Sequence, residues 1–164
     1  MTYCVGLLLN DGMVMLADTR TNAGLDNIAT NSKMIVFEEH DDRVNAVMTA
    51  GSLSVTQTTL ARLDEAMTDS EADETTSIMQ APSMLRVAEM IGRTLSDVSA
   101  EIAGKMDRKA ETARASMIVA GQRKGGDMRM FLVYPEGNFI EATADTPFLQ
   151  IGEHKYGKPI LDRV

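Results

Sequence analysis

The residue with the most chemistry to offer stands second in the chain. Only Met1 precedes Thr2, and removing an initiator methionine ahead of so small a residue leaves one threonine with both a hydroxyl and a free α-amine. Such an amine titrates at about 7.7–8.0, so it can take the hydroxyl proton near neutral pH and activate the oxygen without a histidine. Other reactive arrangements lack parts. His40 and His154 are the two histidines; they sit in a polar acidic turn and a late loop, with neither Gly-x-Ser-x-Gly nor His-x-x-x-His spacing, so a serine-histidine triad and a zinc site are both incomplete. The run from Gly152 to Pro159 follows the phosphate-loop spacing as far as Lys158. Pro159 then occupies the Ser/Thr position, with no hydroxyl for magnesium and no N–H for phosphate, and Glu153 adds an anion. Asp69, Glu71, Asp73 and Glu74 form an acidic stretch without the alternating ligands and central glycine of a calcium loop. Neither a metal nor a cofactor is expected.

The elements that must position Thr2 begin at once. Residues Tyr3 to Leu9 are apolar and β-compatible, Asn10-Asp11-Gly12 offers the positive-φ residues of a hairpin turn, and Met13 to Ala17 returns as the second strand. Residues Asp18 to Gly24 read as a polar loop. Ser32 to Phe37 reads as a third strand opened by Lys33, and Val44 to Ala50 as a fourth, ending at Gly51-Ser52 where Ser52 can cap a helix. In that helix Leu53, Leu60, Leu63 and Met67 fall on one face, with Thr56 between them and Val55 off the stripe. Residues 68 to 76 read as a solvated acidic loop. Pro82-Ser83 starts a longer helix whose stripe is Met84, Val87, Ile91, Leu95, Val98, Ile102 and Met106. Strands follow at Ser116 to Gly121, Met128 to Tyr134, Phe139 to Ala142 and Phe148 to Ile151, and a helix begins near Gly157. Runs of strands separated by helices predict an α+β layered sandwich of antiparallel sheets.

At 164 residues the chain is expected to form a single domain, 1–164, with a sizeable core. Aromatics are 4% of residues, and 13 methionines help the aliphatics fill the interior. A formal charge of -8 repels phosphate backbones, and without a basic-aromatic cluster nucleic acid is a poor partner. Cys4 is the single cysteine, which excludes an internal disulfide and fits a reducing cytoplasm. No apolar run approaches the ~20 residues of a membrane span, and the start lacks a signal-peptide layout, so a cytosolic protein with no membrane partner is expected.

The order and spacing of several short stretches resemble a proteasome-type β-subunit of the N-terminal-nucleophile hydrolases. They are Thr-x-x-Val-Gly at Thr2 to Gly6, the run Asp11 to Arg20, Ser32-Lys33-Met34, and Ala50-Gly51-Ser52 ahead of a helix. The wording of residues 2–6, 21–26 and 151–161 is most similar to the bacterial ancestral-β-subunit branch known as Anbu. The resemblance implies a four-layer α-β-β-α sandwich. It assigns Thr2 as nucleophile, Lys33 as the nearby cation, Asp18 as the lysine's counter-ion, Gly51 as the oxyanion glycine and Arg20 as a supporting residue. A lysine ammonium beside Thr2 lowers the amine's pKa, and an aspartate keeps that lysine charged and oriented. Thr21, Asn31, Ile35, Thr49 and Leu53 fall where the family lines its substrate pocket. Two departures accompany the match. Glu153 stands where the family commonly has the serine of a Gly-Ser-Gly that supports the nucleophile, and the family's later helices and strands have no counterpart, which reads as a C-terminally truncated chain.

The resemblance therefore implies a cytoplasmic threonine peptidase acting on peptides or unfolded proteins inside a homo-oligomeric ring or ring-like helix, with an unfoldase as a further partner. An amidohydrolase acting on a small amide, and a non-catalytic assembly subunit that keeps the fold, are the alternatives.

Overall fold

The computed structural model describes residues 2–22, 28–30, 32–105 and 113–163; of residues 20–22, 28–30, 154 and 156 it describes the backbone alone. The opening hairpin, β1 (Tyr3–Leu9) and β2 (Gly12–Ala17), forms where the two apolar runs and the turn residues between them predict it. Its turn closes without a positive φ, contrary to the expectation for Asn10-Asp11-Gly12; the one non-glycine residue with positive φ among those described is Asp41, in the turn after the fifth strand. Two short strands, β3 (Arg20–Asn22) and β4 (Ile28–Thr30), pair with each other; β3 lies where the sequence reads as loop, and β4 in a stretch with no predicted element. Next come β5 (Met34–Glu39), β6 (Arg43–Gly51), α1 (Leu53–Thr68) and α2 (Met84–Lys105). The chain continues with β7 (Ala115–Arg123), β8 (Arg129–Val133), β9 (Phe139–Glu141), β10 (Phe148–Gly152) and α3 (His154–Leu161).

Both larger sheets are antiparallel. One runs β10-β1-β2 and the other β5-β6-β7-β8-β9. They pack face to face through Cys4, Leu149 and Ile151 from the first and Met48, Ile118, Ala120 and Met130 from the second. The opposite face of the five-stranded sheet carries α1 and α2, burying Val55, Leu63, Val87, Ile91, Leu95, Val98 and Phe131 in a second cluster. The α+β expectation thus holds, with antiparallel sheets as predicted. No described helix is long and apolar enough to cross a membrane.

The first helix corrects the sequence reading twice. The Ser52 side chain makes no capping bond, and its Oγ lies 3.0 Å from Ser54 Oγ instead. The predicted stripe holds at Thr56, Leu60, Leu63 and Met67, which are buried or pack against the core, but it fails at its start: Leu53 is 40% exposed, and Val55, placed off the stripe, is fully buried. Threonines can share the core face because their hydroxyls bond back into the helix, Thr56 Oγ1 donating to Leu53 O at 3.1 Å and Thr59 Oγ1 to Val55 O at 2.8 Å. The second helix matches its prediction better; Ser83 Oγ accepts the Arg86 N–H at 3.2 Å and caps it, whereas Met106 lies outside the described residues. The third helix begins at His154, ahead of the predicted Gly157. Gly157 is interior to it because a Cβ there would strike the Tyr3 ring, so glycine lets α3 lie close against β1.

Candidate functional site

Five chain segments converge at one end of the two packed sheets. Thr2 sits just ahead of β1, and its carbonyl accepts the Glu153 backbone N–H at 2.7 Å. Between β10 and α3, Gly152 has φ +87, and a Cβ there would run into the Thr2 carbonyl. Glycine is therefore required to bring the end of β10 against Thr2. Glu153 contributes its backbone to this contact; its carboxylate is about half exposed and lies 3.9 Å from Lys155 Nζ.

Asp18, the residue after β2, ties the start of the chain to the next sheet. Its backbone N–H donates to Tyr3 O at 3.2 Å, and one carboxylate oxygen accepts the Tyr3 N–H at 2.8 Å. The other oxygen accepts from Lys33 Nζ at 2.6 Å. The lysine side chain is 9% exposed against 34% for the aspartate, so the pair is shielded on the lysine side. A short, charge-assisted bond of this kind fixes the ammonium's position far better than an exposed pair can. Lys33 is fixed from its backbone as well, since its carbonyl accepts the Thr49 N–H at 2.8 Å.

Beneath this pair lies Cys4, fully buried, its Sγ 3.8 Å from Thr49 O. Burial, aided by the Asp18 charge and opposed by Lys33, pushes its thiol up to about 11. The thiol is neutral at working pH and fills space as a small apolar group.

Gly51 ends β6 with φ +116, and a Cβ on it would collide with the Arg114 carbonyl of the neighbouring chain segment. The direction of its N–H follows from strand alternation. Thr49 donates towards Lys33, and Ser52 donates the other way, to Arg114 O at 2.9 Å. Alternation in an antiparallel strand therefore directs the Gly51 N–H to the Lys33 side, beyond the point where β5 begins at Met34.

Thr2, Lys33 and Gly51 line one cleft of about 230 Å³, together with Ile35, Thr49 and Leu53. The structure thus brings together three of the residues implied as catalytic or oxyanion groups and three of the five implied pocket residues, with Asp18 holding the lysine from behind. Asn31 lies outside the described residues, as does Met1, and the side chains of Arg20 and Thr21 are not described. Ser32, Thr56, Gln57 and Leu60 also line the cleft, and nothing in the sequence reading singles them out for it. Their signal is nonetheless present: Leu53, Thr56, Gln57 and Leu60 follow an i, i+3, i+4, i+7 pattern and form one helical face. That face borders the cleft at its exposed side, while Thr56 is buried and Leu60 also packs against the core. The two histidines, the phosphate-loop-like run and the acidic stretch do not contribute to the cleft.

No protein-family model and no curated protein matches the chain. Solved structures do. Anbu (ancestral beta-subunit) from Yersinia bercovieri is 41% identical with a TM-score of 0.88, over 99% of this chain and 65% of that one. The helical assembly of the Anbu complex from Pseudomonas aeruginosa gives 41% identity and a TM-score of 0.89, over 99% of this chain and 66% of that one. Anbu from Hyphomicrobium sp. strain MC1 gives 39% and 0.78, over 99% and 68%. The chain thus spans about two thirds of the length of these proteins.

Proposed function

The chain belongs to the Anbu (ancestral β-subunit) family, and from that premise we propose that it is a threonine peptidase working through Thr2 once Met1 is removed. The observation that carries this reading is the single cleft in which Thr2, Lys33 and Gly51 meet, with Asp18 bonded to Lys33 at 2.6 Å. In the first half-reaction the α-amine of Thr2 takes the hydroxyl proton, and the oxygen attacks the scissile carbonyl. The Lys33 charge favours both the neutral amine and the developing alkoxide. Negative charge on the carbonyl oxygen is met by the Gly51 N–H. The C–N bond then breaks, the leaving amine receives the proton held by the α-amine, and an ester remains on Thr2 Oγ. Water, deprotonated by the same amine, cleaves that ester and restores the threonine. Asp18 orients Lys33, and Glu153 sets Thr2 through its backbone.

The substrate side chain would enter between Ile35, Thr49 and the α1 face; the family match adds Thr21 and Asn31 to the substrate pocket and Arg20 as a residue supporting the catalytic set. The cleft's described lining carries no carboxylate and only one ammonium, Lys33, so uncharged side chains of moderate size fit it best. In this reading the protein works in the cytoplasm as a homo-oligomer fed with peptides or unfolded protein, for which an unfoldase is the natural supplier. The P. aeruginosa relative's helical assembly supports self-association. A fourth, helical layer would cover the outward face of β10-β1-β2, where Leu9, Val14 and Leu16 stand exposed.

Intact mass spectrometry tests the nucleophile directly. The purified protein should lack Met1 and gain one equivalent of a threonine-directed covalent inhibitor. Thr2→Ala should gain none and lose at least about a thousandfold in turnover. Retention of Met1, or an inhibitor that adds no mass, overturns the proposal and leaves an assembly subunit. Turnover of small amides without peptides would instead mark an amidohydrolase.

A further inference from the structure

Tyr3 is tied to two different parts of the fold immediately after Thr2. Its backbone N–H donates to one Asp18 oxygen at 2.8 Å and its carbonyl accepts the Asp18 N–H at 3.2 Å, so its main chain is bound to the residue that holds Lys33. The side chain goes the other way. Strand alternation turns Cys4 towards the partner sheet and Tyr3 to the opposite face, where Gly152 is its paired residue and Gln150 the next residue of β10 on that face. Gly152 offers no side chain there, and the phenol donates to Gln150 Oε1 at 3.1 Å. Burial raises the phenol above its ordinary pKa, so the donor keeps its proton at working pH. The tip of the ring also rests on Gly157 of α3, closely enough that a Cβ at that position would run into it.

These contacts bear on the nucleophile through the segment they grip. Once Met1 is gone, Thr2 is a chain terminus, with no preceding residue to hold it, and termini fray unless tied down. Its carbonyl is held by the Glu153 N–H at 2.7 Å, and Glu153 is the residue between β10 and α3. Gln150 and Gly157 stand on either side of Glu153, so the Tyr3 ring holds both arms of the corner that carries that N–H. We propose that Tyr3 is a positioning residue for Thr2: bonded to Gln150 and seated on Gly157, its ring latches the β10–α3 corner to β1 and keeps the Glu153 N–H on the Thr2 carbonyl. The consequence for catalysis rests on the peptidase reading above. A nucleophile displaced by about 1 Å from Lys33 and Gly51 loses roughly a hundredfold in rate, whereas the walls that receive the substrate do not include Tyr3 and stay in place.

The test combines kinetics with amide exchange. Tyr3→Phe keeps the ring and deletes the donor; Gln150→Leu keeps the phenol and deletes its acceptor. Each should lower kcat for a fluorogenic peptide about 3- to 10-fold, the range that one lost hydrogen bond supplies, with KM within about twofold. Both changes remove the same bond, so the double variant should be about as slow as either single one. Gly157→Ala, which pushes the ring off α3, should act in the same direction. Hydrogen exchange is followed by NMR in the same proteins. The Glu153 amide should exchange about 3- to 10-fold faster in each variant, while the Leu95 amide inside α2 keeps its rate and shows that the fold is intact. An unaltered Glu153 amide, factors that multiply in the double variant, or a loss that falls on KM instead of kcat overturns the latch. Turnover by the unsubstituted protein with kcat unchanged in Tyr3→Phe removes the latch and leaves the peptidase standing. No turnover of any peptide, with the Glu153 amide freed by Tyr3→Phe and by Gln150→Leu, leaves the latch as the anchor of Thr2 and removes the peptidase.

Discussion

The outward faces of the two sheets are built from the same alternation of apolar residues and end in opposite situations. Behind the five-stranded sheet, α1 and α2 seal Phe131, Ile91, Leu95 and Val98 to complete burial. On the three-stranded sheet the outward residues Leu9, Val14 and Leu16 remain exposed, Leu16 at 64%. The candidate site lies between these extremes: Gly51 and Lys33 stand at the end of the sheet backed by α1 and α2, Thr2 and Asp18 at the end of the one that α3 covers only in part. Stability and site geometry are thereby carried by different layers. Damage to the helical layer should register chiefly as unfolding, and changes on the open face should leave the fold almost untouched.

The largest effect should come from the sealed side. Leu95→Ala removes a side chain with no exposure and leaves a hole between α2 and the sheet. The expected cost is about 2–5 kcal/mol, a drop in melting temperature of roughly 5–15 °C for a domain of this size, read by calorimetry. A loss below about 1 kcal/mol would mean that the helical layer yields and is not the rigid partner in the comparison.

A smaller effect separates the layers by pH. The Cys4 thiol, between the sheets and beside Asp18, is raised from 9.0 to about 11 in the folded protein. A raised pKa means that the unfolded thiol ionises first. Stability is therefore full below about pH 9 and falls as pH climbs towards 11, with a slope of up to about 1.4 kcal/mol per pH unit. Cys4→Ala removes that group. Urea midpoints taken near pH 8 and near pH 10.5 should converge by about 1–2 kcal/mol in the variant relative to the unsubstituted protein. Identical alkaline loss in both proteins would assign the titration to groups elsewhere.

How much of this was legible in the sequence differs between the same two layers. The opening hairpin could be read because two short apolar runs flank turn residues; its register could not, since Tyr3 to Leu9 is apolar throughout and only the fold turns Cys4 and Leu8 on β1, with Met13 and Met15 on β2, towards the partner sheet. The Lys33–Asp18 pair and the Gly51 turn came from family spacing, and the geometry brings them to one place. The first helix misleads for a physical reason. Hydrophobicity marks leucine as core, yet Leu53 and Leu60 line a cleft, and threonines whose hydroxyls bond back to the helix can be buried at no polar cost. The pairing of β3 with β4 was illegible because three-residue strands leave too short a run to show a period. The latch at Tyr3 has no sequence signal of any kind, since Gln150 and Gly157 become its neighbours only through the pairing of β1 with β10 and the entry into α3.

The smallest effect is expected on the open face, where it is also the most discriminating. Leu16 points away from the sheet interface, while its neighbours Met15 and Ala17 pack into it. Threonine keeps the β-branched preference of a strand and removes apolar surface. In this chain by itself Leu16→Thr should change stability by no more than about 0.5 kcal/mol, and should reduce self-association in sedimentation because an exposed apolar patch is a contact surface. A cost above about 1 kcal/mol would show that Leu16 is buried in solution. The concentration dependence of the melting temperature then identifies the cover: a second copy makes stability rise with protein concentration, whereas a segment of the same chain does not.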